Sequence, residues 1–169
     1  MAKIGILGKG SNETAAFLLG LYQEFFPNKI DNPHKILKGD EMSIVCIDEK
    51  TEENEEKSLP KVWLIQDADV NAVYNKDDYL ILNTDKRAKS KGACANILSY
   101  GFNSKASVTA SSVANEAMQV CIQRGFKSMG QHNYEPMEFK TTCPADINPL
   151  SVLGAVCACA VCDLLPPLS

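Results

Sequence analysis

What this chain lacks excludes several kinds of protein. No run reaches the roughly 18 apolar residues of a membrane span. The apolar stretch "SVLGAVCACAVCDLL", Ser151 to Leu165, reads instead as a buried helix. There is no G-x-S-x-G nucleophile turn, no H-E-x-x-H metal motif and no phosphate-loop lysine. Histidine is scarce, with His34 in a proline-flanked loop and His132 in the turn "GQHNYE". Neither has a cysteine or base at catalytic spacing, so both read as exposed turn residues. A net charge of −4 gives no electrostatic case for a nucleic-acid partner. The opening "MAKIGILGKG" has no apolar core followed by a cleavage site, which predicts a cytoplasmic protein and no membrane partner.

What is present fits a single α/β domain spanning 1–169. A length of 169 residues suits one domain, and 45% hydrophobic with 22% charged residues is an ordinary globular composition. The cysteines are Cys46, Cys94, Cys121, Cys143, Cys157, Cys159 and Cys162, an odd set that predicts reduced thiols. Cys157, Cys159 and Cys162 lie in the apolar C-terminal run. At about 100° per residue a helix turns Cys157 away from the other two, so the three thiols do not converge on a metal or cluster. They read as small buried hydrophobes.

Continuous apolar runs mark the strands: "KIGILG" from Lys3, "MSIVCIDE" from Met42, "KVWLIQD" from Lys61, "YLILNTD" from Tyr79 and "NILSYG" from Asn96. Such runs suit strands covered on both faces of a parallel sheet, joined by right-handed crossovers. About a dozen residues separate Asp67 from Tyr79, barely enough for a crossover. "NETAAFLLGLYQEFF" from Asn12 reads as a helix capped by Ser11 or Asn12. "PNKIDNPHKILKGDE" reads as a loop broken by Pro27 and Pro33, and the acidic run "EKTEENEEKS" as an exposed one. Beyond Gly101, "ASVTASSV", "EAMQVCIQR" and "EPMEFKTT" alternate every second residue, as half-buried antiparallel strands do. A final helix is expected from about Asn148, with Pro149 in its first turn.

The turn Gly8-Lys9-Gly10-Ser11-Asn12-Glu13-Thr14 joins a strand to a helix. Such turns bind phosphate, because backbone N–H groups and the helix dipole face the anion. Gly8-x-Gly10-x-x-Glu13 also has two of the three glycines of a dinucleotide fingerprint, with Asp48 as a distant ribose partner. An unliganded tight turn is a third reading. Asp67 and Asp69 sit just past a strand end, either holding a metal ion or capping a short helix "DADVNAVY".

From Tyr79 to Leu164 the order of segments, "DYLILNTDKR", "ANILSYGFNSKASVTASSV", "GFKSMGQHNYEPMEF" and "CPADINPLSVLGAVCACAVCDLL", resembles the second half of the ATP-binding central domain of Mur ligases, the family that includes folylpolyglutamate synthase. The resemblance implies a three-layer fold, with a mainly parallel sheet flanked by helices and a small antiparallel sheet from about Ser107 to Thr142. It places Asn12 where the family has its phosphate-binding lysine and Glu13 where it has its metal-binding hydroxyl, while Gly8 and Thr14 are kept. Asn83 and Asp85 match the end of the family's N-A-D-D strand, and Lys86 replaces the second aspartate. Asn148 matches the family's adenine-side asparagine, whereas Ile147 replaces a histidine. The helical insert carrying the catalytic ligands and both flanking ligase domains are missing. The resemblance therefore implies a degenerate, stand-alone domain without ligase activity. Gly8, Lys9, Gly10, Ser11, Asn12, Thr14 and Asn148 are its candidate contacts to ATP, another nucleotide or an anion, and a protein partner is the other expected ligand. The alternatives are a ligase component completed by partner chains and a dinucleotide-binding module.

Overall fold

The computed structural model describes residues 2–27, 35–38, 42–47, 60–68, 74–90, 92–94 and 96–166. The chain begins with β1 (Ala2–Leu7), α1 (Ser11–Phe25), β2 (Lys35–Lys38) and β3 (Met42–Ile47). Next come β4 (Val62–Ile65), β5 (Tyr79–Asn83), β6 (Asn96–Tyr100), β7 (Val108–Ala114) and β8 (Ala117–Ile122). It ends with β9 (Phe126–Lys127), β10 (Asn133–Tyr134), β11 (Met137–Thr142) and α2 (Pro149–Val161).

The main sheet has nine strands in the order β11-β8-β7-β6-β5-β4-β1-β3-β2. Its centre, β7-β6-β5-β4-β1, is parallel. Both flanks are antiparallel. An α/β domain with a parallel centre is thus what the apolar runs predicted, with corrections at both edges.

One correction concerns β3, which runs antiparallel to β1 although its apolar run predicted a parallel strand. The cause lies in the segment read as a loop. Lys35–Lys38 forms β2, which takes the outer place and pairs antiparallel with β3. A chain returning from α1 runs along β2 in the direction of β1, so β3 comes back the other way.

A second correction concerns the antiparallel strands after Gly101. They do not form a sheet of their own. β7 still pairs parallel with β6 through Tyr100 and Val108, and β8 and β11 then extend the same sheet. Only β9 and β10 form a separate two-stranded ribbon. Val108 and Ala110 do share the core face, as strand alternation requires.

Side chains of β1, β4 and β5 sort into two clusters, one on each face of the sheet. Ile4, Ile6, Val62, Leu64, Ile81, Leu98 and Tyr100 meet α1 and α2. Leu7, Trp63, Ile65, Leu80 and Leu82 pack on the other face with Ala88, Tyr74 and Cys94. Both described helices therefore cover one face, while Ala88, Tyr74 and Cys94 pack on the other, where no helix is described. The "DADVNAVY" helix expected there falls largely on residues 69–73, outside the described residues, as do His34, Asp48 and Asp69.

α2 begins where the sequence predicted. Asn148 is its N-cap, accepting from Leu150 N–H at 2.9 Å, and proline opens the first turn. Every residue from Ser151 to Val161 is buried. A helix apolar on all sides requires this, and each Val or Leu so buried contributes about 1.5–3 kcal/mol. Among the described residues no helix is long and apolar enough to cross a membrane.

Candidate functional site

Parallel strands carry their ligands beyond their carboxyl ends. At that end β1 runs into Gly8, β4 into Gln66 and Asp67, β5 into Thr84 and Asp85, and β6 into Gly101. The glycine turn is built as the sequence suggested. Gly8 has φ +112°, Gly10 has φ +83°, and Ser11 N–H donates to Gly8 O at 3.1 Å. The helix is capped by Gly10, with no side-chain cap bond, so Ser11 and Asn12 lie inside α1 instead of capping it. The left-handed Gly10 turns the chain into the helix without a side-chain acceptor.

The turn holds an anion of the protein's own. Lys9 N–H donates to Asp67 Oδ2 at 2.6 Å. The approach is so close that a Cβ on Gly8 would stand 2.6 Å from the same oxygen. Asp67 is thus committed to the glycine turn. Among the described residues no group of three or more His, Cys, Asp or Glu side chains is placed to hold a metal ion. Glu13 adds a second carboxylate in the first turn of α1, where the helix dipole favours negative charge. Its Oε2 accepts from Ser151 Oγ at 3.3 Å, tying the start of α1 to the start of α2.

Behind the turn lies a buried polar layer. Thr14 Oγ1 donates to Gly10 O at 3.2 Å and accepts from Gln66 Nε2 at 2.8 Å. Gln66 Oε1 and Tyr100 Oη are buried without a hydrogen-bond partner. Burial pushes the Tyr100 hydroxyl far up. Cys157 adds to the shift, the Asn83 amide opposes it, and Asp67 and Asp85 add smaller increments. Asn83 lies close enough to act on the phenol, but not in hydrogen-bonding geometry. Burial thus keeps the Tyr100 hydroxyl neutral within the core.

The structure thus gathers Gly8, Lys9 and Gly10 in the turn and Ser11, Asn12 and Thr14 in the first turn of α1. Asn148 stands at the neighbouring helix start, its side-chain oxygen committed to capping. Asn83 and Asp85 close a loop. Asn83 Oδ1 accepts from Asp85 and Lys86 N–H. Asp85 accepts from Phe102 N–H at 2.6 Å, Asn103 N–H at 3.3 Å and Asn103 Nδ2 at 2.6 Å. The sequence reading missed the role of Asp67 and did not single out Gln66. The one signal was their place just past a strand end.

The three cysteines of the C-terminal run behave as packing groups. Cys157 and Cys159 are buried in α2, and burial pushes both thiols up, Cys159 to about 12. His132 is exposed, with its ring edge-on to Tyr134 at 4.7 Å.

Comparison with known proteins found no matching family model, no matching curated protein and no matching solved structure.

Proposed function

We propose that this chain is a degenerate Mur-ligase-like domain that has no ligase activity and serves as an interaction module. The observation that carries this reading is the Lys9 N–H to Asp67 Oδ2 bond. Backbone N–H groups in such a turn are the donors that would face a phosphate. Here one is taken by a carboxylate, and Glu13 stands at the same helix start. Two unit charges about 4 Å apart repel by roughly 1–4 kcal/mol at surface-like dielectric, before the further charges of a triphosphate are counted. No lysine follows Gly10 at the helix start to offset them, since Asn12 and Glu13 occupy those positions.

Calorimetry with Mg-ATP tests the reading. The expected result is no saturable binding at millimolar nucleotide. A site tighter than about 10 μM, near −7 kcal/mol, would overturn it. The triple change Asp67→Ala, Asn12→Lys and Glu13→Thr removes both carboxylates and restores the missing charge. It is expected to raise affinity for Mg-ATP by at least about tenfold, the worth of one good charged contact.

A further inference from the structure

We infer that β11 is the contact by which two copies of this chain pair, edge to edge, about a two-fold axis at Phe139. This gives the interaction module a partner and rests on that reading. Among the described residues β11 pairs only with β8 and ends the nine-stranded sheet. Its outer N–H and C=O groups form a template for another strand.

The strand reads Met-Glu-Phe-Lys-Thr-Thr from Met137. Antiparallel pairing about Phe139 sets Glu138 of one copy opposite Lys140 of the other, and Lys140 opposite Glu138. Both side chains are exposed, on the face away from α2, while Phe139 is half-buried against the core. The axis therefore brings two opposite-charge pairs into register and places Phe139 beside its copy. Directly opposed charges of unlike sign stabilise paired strands, and like charges destabilise them. The β11 edge is thus complementary to itself. An isologous contact also doubles the effect of any substitution in it.

Sedimentation equilibrium on the full chain tests the inference. The wild type is expected to form dimers. Glu138→Lys and Lys140→Glu each replace two attractive pairs by two repulsive ones, so each alone is expected to weaken association by about tenfold or more. An equimolar mixture of the two variants restores complementary pairs and is expected to associate as the wild type does. Both positions are exposed, and circular dichroism checks that each variant folds. A wild type that stays monomeric up to about 1 mM, a range that reaches weak contacts, would overturn self-pairing, even if the strand captures a foreign peptide. Single variants that associate normally, or a mixture no better than its parts, would also overturn it. None of these readouts depends on nucleotide, so the ATP titration stands or falls separately.

Discussion

At Gly8, Asp67 receives one backbone N–H, from Lys9. At Gly101, Asp85 receives two backbone N–H groups and a side-chain amide. In both turns the aspartate stands just past the end of the adjacent parallel strand, β4 beside β1 and β5 beside β6. In both, glycine is needed because a Cβ would meet that carboxylate, at 2.6 Å from Gly8 and 2.7 Å from Gly101. The turns differ in the element they lead into. The first opens a helix, where a phosphate would sit, and the second leads into β7. A glycine-rich turn therefore calls for a tight bend and an acceptor. Whether that acceptor is a ligand or a neighbouring side chain depends on the next strand.

The largest expected effect tests the core on which both turns are mounted. Thiols of ordinary value, 9.0, ionise in the unfolded chain, whereas the buried Cys157 and Cys159 stay protonated well above that. Stability is then fully present below pH 9 and is lost as pH rises towards the folded values. The loss is about 1.4 kcal/mol per pH unit for each thiol, or on the order of 5 kcal/mol between pH 9 and 11 for the two. Denaturant melts followed by Trp63 fluorescence measure it. Equal stability at pH 8 and pH 11 would refute the packing role. Variants of either turn are expected to show the same alkaline loss, since neither turn contains a thiol.

Next in size are the glycines. Gly8→Ala is expected to cost about 3 kcal/mol, because it combines a strained φ with a clash and Asp67's backbone nitrogen also lies 3.2 Å from the new carbon. Gly101→Ala meets only side-chain atoms of Asp85 and Thr84 at its three closest contacts, which can shift in part, so about 2 kcal/mol is expected. The reverse ranking in urea melts would break the steric account.

The smallest effects, and the most discriminating, come from the carboxylates. Asp85→Ala leaves two backbone N–H groups to find water and costs the Asn103 amide one of its two acceptors, so about 2 kcal/mol is expected, whereas Asp67→Ala frees one N–H and should cost about 1 kcal/mol. These turns are exposed enough for solvent to repair part of the loss. If Asp67→Ala proved the costlier change, the Gly8 turn would depend on its internal anion more than its single bond implies.

Legibility in the sequence tracked the range of the interactions. "KIGILG" meeting glycines announced β1 and its turn, and Asn148-Pro149 announced the start of α2, because runs, caps and prolines act over a few residues. The direction of β3 was not legible. Its apolar run is the same whether it pairs parallel or antiparallel, and the short β2 that reverses it looked like loop. Nor was the antiparallel extension legible as part of the main sheet, since a single pairing of Tyr100 with Val108 makes the join.

The sequence alone determined that Gly8 to Thr14 forms a strand-to-helix turn, that α2 is buried on all sides, and that antiparallel strands lie within residues 108–142. Composition and periodicity set these locally. Only the tertiary structure decided what fills the turn. Asp67 lies 58 residues from Lys9 in the chain, and parallel pairing of β4 with β1 brings its carboxylate to within 2.6 Å. No local pattern encodes that distance. It is a result of register, which puts Ile65 beside Leu7 and so sets the next residues of both strands against each other.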